Sequence, residues 1–258
     1  MPLLSIITVL KDDERGLRQT MASLVASSGF DRADVEWIVI DSSADPESVE
    51  ALVSGSGLEP RLIWEPPSGI YEAMNTGLRL ATGEYVYFLN AGDRLRDSSV
   101  LASVLRVLQE ERPDWLYGQV AFLDEAGREV IPPAFDFRRE KKALFARGRF
   151  PPHQGTVVRR RLLQSMGGFK TEYRVAADYV AALQLSLMAE PFEMTDVLAE
   201  FTAGGASTHN WQRSFREFHQ ARREVFNPRG TKRIAESVRS IRLRVERGLY
   251  ESWRRRQR

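Results

Sequence analysis

The chain has 258 residues, 43% of them hydrophobic and 28% charged, and a formal net charge of only +2. That share of apolar residues can fill a substantial core, which excludes a wholly disordered chain. There is no cysteine, so disulfides and thiolate metal sites are excluded and a reducing compartment fits.

The small net charge hides an asymmetry. Residues 229–258 carry eleven Lys or Arg against three Glu, a net +8, which leaves −6 for the rest of the chain. An acidic body with a basic tail suggests two jobs. The N-terminus lacks a positive leader and its apolar run is too short for a secretory signal. No segment reaches the roughly 20 apolar residues that span a bilayer. The expectation is a soluble, cytoplasmic protein.

LLSIITV (3–9) is a continuous, mostly apolar run rich in β-branched residues, the pattern of a strand buried on both faces. A helix is expected next, through Leu17, Met21, Leu24 and Val25. VEWIVID (35–41) is a second buried strand and ends on Asp41. Asp45 and Pro46 read as the N-cap and first position of a further helix. RLIWE (61–65) is a third strand. IYEAMNTGLRLA (70–81) is a helix, with Gly83 expected as its C′ glycine. EYVYFLN (84–90) is a fourth strand. This β-α-β-α-β-α-β order predicts a Rossmann-like, mostly parallel twisted sheet flanked by helices. Ligands of such sheets bind beyond the carboxyl ends of the strands.

Further on, 98–110 reads as a helix and 115–131 as two strands around a turn. Residues 132–152 read as a loop that could serve as a lid. A strand, a short helix and a glycine stop follow in 155–169. Residues 176–189 are helical, 192–203 a strand and 211–226 a helix.

No P-loop, G-x-G-x-x-G or H-E-x-x-H motif is present, and three scattered histidines make no zinc site by spacing alone. What remain are carboxylates at element ends. Asp93 follows the fourth strand, where one carboxylate and substrate phosphates can hold Mg²⁺ or Mn²⁺. It also reads as an ordinary turn Asp. Asp41 suits a ribose or base, or a plain N-cap. Asp178 suits a general base, or an Asp favoured by the helix dipole.

GIYEAMNTGLRLATGEYVYFLNAGD (69–93) resembles a signature of family-2 glycosyltransferases with the GT-A fold, closest to the branch of colanic-acid and similar exopolysaccharide pathways. LLSIITVLKD, FDRADVEWIVIDSS, PPHQGTVVRR, YRVAADYVAALQL and AEFTAGGASTHN resemble that family's other blocks, in order, over about residues 3–210. The resemblance implies an inverting, metal-dependent transferase of the hexosyltransferase type. Its donor would be a nucleotide-diphospho-sugar and its acceptor a saccharide or glycolipid hydroxyl in cell-surface polysaccharide synthesis. By position it places Thr8, Asp41, Glu72, Asn75, Asn90 and Asp93 at the donor, with Asp93 on Mn²⁺ or Mg²⁺. It places His153, Gln154, Gly204, Gly205 and Ser207 along the acceptor cleft, and Asp178 as the base. Residues 1–95 would form the nucleotide-sugar half and 96–228 the acceptor half of one domain, with 229–258 a tail.

The sequence departs from the pattern at Asn90 (usually Asp), Ser42 (usually a second Asp), Pro66-Pro67-Ser68 and Glu72 (usually Asp). The Asn90 change leaves a non-catalytic sugar-nucleotide-binding or scaffold protein as the alternative. A nucleotidyltransferase would need a glycine- and lysine-rich phosphate loop after the first strand, where LKDDERG stands instead.

In the tail, Ile234, Val238, Ile241, Val245 and Leu249 share one helical face among arginines. That pattern fits either an anchor on an anionic membrane surface, on its cytoplasmic side, or a helix packed on the domain with a solvated basic face. Nucleic acid is not expected as a partner, because the aromatics are not interleaved as stacking platforms and the body is acidic.

Overall fold

A computed structural model describes residues 1–123, 128–139, 141, 148–202 and 211–256. In chain order the elements are β1 (Leu4–Leu10), α1 (Glu14–Val25), β2 (Val35–Asp41), α2 (Pro46–Ser54), β3 (Arg61–Trp64), α3 (Ile70–Leu80) and β4 (Tyr85–Phe88). They continue with β5 (Arg94–Leu95), α4 (Val100–Glu110), β6 (Trp115–Leu123), β7 (Glu129–Val130), β8 (Thr156–Arg159) and α5 (Arg160–Ser165). The last are α6 (Ala177–Met188), β9 (Phe192–Thr202), α7 (Trp211–Phe226) and α8 (Thr231–Arg256).

The strands join in one sheet, in the order β3-β2-β1-β4-β8-β6-β9-β5, with β7 on β6. The first four are parallel, as their crossover helices require. From β8 onward the sheet is mixed: β8 runs antiparallel to both β4 and β6, and β9 parallel to β6. β6 and β7 are the expected strand pair; their turn at 124–127 lies outside the described residues.

β1 is buried along its whole length. Ile7 and Val9 join a core with α3, α5, α6 and α7. Leu4, Ile6 and Leu10 join a second core with α1, α2 and α4 on the other face. A strand between two cores explains why its sequence is continuously apolar. Gly77 lets α3 lie directly on this strand, since a Cβ there would stand 2.4 Å from Ile7 Cγ2.

Gly83 has a different reason from the one expected. α3 ends through Ala81 in an extended conformation, and Gly83 is not among the residues with positive φ. A Cβ on Gly83 would meet the backbone nitrogen of Ser5 at 2.8 Å. The glycine permits close passage over the start of β1. Glu36 fastens the same crossing. Its Oε1 accepts from Ser5 Oγ, from Thr82 N at 2.6 Å and from Gly83 N at 2.9 Å.

α8 packs on α7. It does so with polar residues: Glu236 and Ser240 are buried, while Ile234, Val238, Ile241 and Val245 are exposed. Among the described residues, no helix is long and apolar enough to cross a membrane.

Burial tends to raise the Glu36 pKa, but the bonds from Ser5, Thr82 and Gly83 outweigh it and hold the carboxyl below its ordinary value. A carboxylate depressed in the folded state adds stability above its unfolded pKa, and loses it as pH falls through the folded one. Glu36→Gln should therefore cost on the order of 1 kcal/mol near neutral pH, the group being only partly buried. The difference should vanish below the carboxylate range. Urea unfolding of both proteins at the two pH values checks this.

Candidate active site

Three chain ends meet at the carboxyl edge of the parallel strands: the ends of β1, β2 and β4. Asp41 closes β2 and is fully buried. Its Oδ1 accepts from Ser43 N at 2.8 Å, and its Oδ2 has no partner among the described residues. A buried carboxylate oxygen without a donor is costly, and it suits a ligand hydroxyl or N–H. Beside it lies a cavity of about 450 Å³ lined by Leu10, Lys11, Ser42, Ser68 and Gly69.

The turn after β4 is held from three sides. Ala91 N donates to Val9 O, which keeps the turn on β1. Asp93 N donates to Asn90 O at 2.9 Å, and Asn90 N returns a bond to Asp93 Oδ2 at 3.1 Å. From α1, Thr20 Oγ1 lies 2.7 Å from Asp93 O and accepts from Gly92 N at 3.1 Å. Gly92 has φ 91°, the left-handed region that favours glycine. Gly16 of α1 packs so close that a Cβ on it would stand 2.8 Å from Gly92 N.

This clasp presents a buried Asp93 and a buried Asn90. Burial raises the Asp93 carboxyl to about 6, and the His153 imidazole opposes the rise. Asn90 Oδ1 has no partner among the described residues. The donor set is therefore one carboxylate and one amide oxygen, hard ligands that fit Mg²⁺ or Mn²⁺ when a diphosphate completes the shell. Among the described residues no cluster of three or more His, Asp or Glu could hold a metal without a substrate.

Asp178 stands at the start of α6, across a second cavity of about 530 Å³ whose lining includes Asn90, Gly92, Asp93, His153 and Asp178. Its Oδ1 accepts from Tyr71 OH at 3.3 Å and from Tyr179 N at 2.8 Å. Its Oδ2 lies 3.5 Å from His153 Nδ1, a charge contact rather than a tight hydrogen bond. His153 Nε2 in turn lies 3.3 Å from Asn90 Nδ2. Burial lowers the His153 pKa, but Asp178 and Asp93 outweigh it and leave the imidazole raised. His153 thus bridges Asp178 and the Asn90–Asp93 turn. Gln154 lines the same cavity, and its carbonyl accepts from Tyr87 OH at 2.6 Å.

Asp178 and His153 also line a third cavity of about 340 Å³. Its walls are mostly apolar, with Tyr117, Phe122, Phe135, Phe150 and Phe201. The ends of the expected lid segment, Pro132–Phe135 and Gly148–Pro152, form part of this wall. Residues 140 and 142–147 of that segment lie outside the described residues, as do Gly204, Gly205 and Ser207.

Three expected donor residues are placed elsewhere. Thr8 is buried in the sheet; its Oγ1 donates to Leu89 O at 2.8 Å and accepts from Trp37 Nε1 at 3.0 Å. Alternate residues of a strand face opposite sides of the sheet, and Thr8 shares the side of Ile6 and Leu10, inside the second core. The Asn75 amide is taken up by the backbone of Phe169, donating to its O and accepting from its N, both at 2.8 Å. Glu72 folds back against Gly69 in the first turn of α3, outside the cavity linings.

Sequence reading missed Thr20, Tyr71 and Arg174. Thr20 sits on the buried side of α1, where a hydroxyl needs a partner, which was the available signal. Tyr71 belongs to the quoted 69–93 block. Arg174 is exposed and lines both the 450 and the 530 Å³ cavities, with no sequence signal beyond its nearness to Asp178.

The family model described as glycosyl transferase family 2 matches residues 5–168. The protein named uncharacterized glycosyltransferase Rv1514c, of Mycobacterium tuberculosis, is 32% identical over 216 residues, 81% of this chain and 78% of that one. Among solved structures, Staphylococcus aureus TarS 1–349 in complex with UDP-GlcNAc has TM-score 0.68 at 19% identity, covering 87% of this chain and 65% of that one. The mannosyltransferase PcManGT of Pyrobaculum calidifontis, in complex with GDP-Man and Mn²⁺, has TM-score 0.64 at 21% identity, covering 89% and 65%. The chain therefore spans just under two thirds of those two solved chains.

Asn75→Ala should act on stability and not on the donor. It leaves the Phe169 N–H and C=O unpaired in a part-buried site, at a cost of about 1–3 kcal/mol. Thermal melting should show the loss, while donor affinity measured well below the melting temperature stays unchanged.

Proposed function

The chain belongs to glycosyl transferase family 2 and is a glycosyltransferase, and from that premise we propose an inverting transfer from a nucleotide-diphospho-sugar to the hydroxyl of a glycolipid or saccharide acceptor. One observation carries the reading. Asp178 and the buried Asp93–Asn90 turn border the same cavity, with His153 between them.

In this proposal the nucleoside lies over the ends of β1 and β2, against the unpartnered Asp41 Oδ2. The diphosphate lies over Ala91 and Gly92, where small residues let it approach the backbone. Arg174 offers a cation to it from the opposite wall. Asp93, with Asn90 beside it, would hold Mn²⁺ or Mg²⁺. That ion supplies charge neutralisation at the departing diphosphate.

Asp178 takes the proton of the acceptor hydroxyl. The acceptor oxygen bonds to the anomeric carbon, and the carbon–phosphate oxygen bond breaks, its electron pair leaving with the nucleoside diphosphate. Attack opposite the leaving group inverts the anomeric configuration. Tyr71 and His153 fix the carboxylate's orientation. The apolar third cavity begins at the same carboxylate, so we assign it to an apolar portion of the acceptor beside its reacting hydroxyl. TarS and PcManGT are bound to sugar nucleotides in their structures, which supports the donor class.

Asp178→Asn keeps the size and hydrogen bonding of the side chain but cannot take the proton. Transfer should fall by about 10³-fold or more while donor affinity holds. Full transfer by this variant would remove Asp178 as the base. Separately, an acceptor sugar with a phenyl or short alkyl aglycone should show a KM at least about tenfold below that of the free sugar. Equal KM values would remove the acceptor assignment of the aromatic cavity.

A further inference from the structure

An amphipathic helix on a protein surface normally buries its apolar stripe against the body. α8 is mounted the other way round. The side chain that fixes it is Glu236, 6% exposed. Glu236 Oε1 accepts from Arg222 Nε of α7 at 2.6 Å and lies 3.2 Å from His219 Nδ1. Arg222 is itself 3% exposed and also reaches Tyr179 OH at 3.3 Å. Ser240, one turn on, is buried on the same side. The buried side chains of the docking face are polar and ionic, with Leu243 half-buried further along the same side.

The opposite face carries Ile234, Val238, Ile241 and Val245, at 66, 60, 62 and 55% exposure. Their spacing of four, three and four keeps them in one row, about 17 Å long at the α-helical rise. Arginines border the row on both sides. Arg242 is exposed on one flank and pairs with exposed Glu246; Arg244 is exposed on the other. With four β-branched side chains in water, the helix has an apolar row that the described body leaves uncovered.

We propose that this row inserts into the headgroup region of an anionic lipid surface, with α8 lying in the plane of the membrane. Charge decides between occupants. A second copy of α8 on the same row would set one net +8 tail against another. An anionic surface meets both flanks with opposite charge. The net +8 of residues 229–258 draws the tail to such a surface, while the net −6 of the remainder is repelled. The result is a body held off the membrane and turned by the rigid Arg222–Glu236 mount. The mount lies on the helix whose Phe218 packs on Tyr179, next to Asp178. This inference depends on the surface of α8 and not on the transfer reading, so the two fail separately.

The test is flotation of the full chain with vesicles of phosphatidylcholine, with and without about one-third phosphatidylglycerol. Ile241→Glu/Val245→Glu and Arg242→Glu/Arg244→Glu change only exposed side chains, so both variants should keep the parent melting temperature. The parent should float with the anionic vesicles and stay down with the neutral ones. Each variant should lose at least about tenfold in binding, with transfer to a water-soluble acceptor unchanged. Equal flotation of the parent and the Ile241→Glu/Val245→Glu variant would overturn the proposal. So would a parent that does not float, including one that elutes as a dimer which the same variant makes monomeric.

Discussion

The candidate site depends on a buried carboxylate, Asp93, whose negative charge burial opposes and the His153 imidazole favours. Asp93 sits in a turn pinned by β1 carbonyls on one side and Thr20 on the other, with burial driving its pKa up to about 6. Left to itself such a group is destabilising. The surrounding bonds do not neutralise it; they fix its direction. Asn90 N donates to it, Gly92 adopts a left-handed conformation beneath it, and Gly16 removes the side chain that would separate α1 from the turn. The unsatisfied Asn90 Oδ1 and Asp41 Oδ2 extend the pattern. Two oxygens at one sheet edge, beside the buried Asp93, are positioned and lack partners among the described residues, as a site that binds a polar ligand requires.

The rest of the molecule places one further carboxylate opposite that edge. Asp178 comes from the first turn of α6, more than eighty residues later, and its position is set by Tyr71, His153 and the backbone of Tyr179. His153 is the physical link between the two halves, with one nitrogen toward Asp178 and the other toward Asn90. The mixed second half of the sheet matters here. β8 runs antiparallel to β4, so the segment entering β8, His153 and Gln154 included, arrives at the edge where β4 ends. A further parallel strand would begin at the opposite edge.

The parallel half was legible because its signals are local. Continuous apolar runs belong to strands covered on both faces, and Asp45-Pro46 states a helix start that the structure shows, with Asp45 accepting from Ser48 N. The candidate site was legible where a carboxylate ends or starts an element: Asp41 closes β2, and Asp93 and Asp178 line one cavity. It was not legible where a side chain's partner is distant in the chain. Nothing in the neighbourhood of Asn75 says that its amide is committed to Phe169, ninety-four residues on. Thr8 alternates inward, and its hydroxyl serves a tryptophan of the next strand. Gly83 carries the composition of a helix stop, yet its reason is the backbone of Ser5. The tail shows the same limit most clearly. Its periodicity states that one face is apolar, and only the Arg222–Glu236 pair decides which face meets the body.

The central claim is that the Asn90–Asp93 turn binds a sugar nucleotide through a divalent cation. The most direct test is a thermal-shift series of the full chain with UDP-, GDP- and dTDP-sugars, each with Mn²⁺ and each with EDTA. A ligand that binds only the folded state raises the melting temperature. The account predicts a clear rise with one nucleotide class in Mn²⁺, and its loss in EDTA and in the Asp93→Ala variant. A rise of equal size in EDTA, or in that variant, would contradict it.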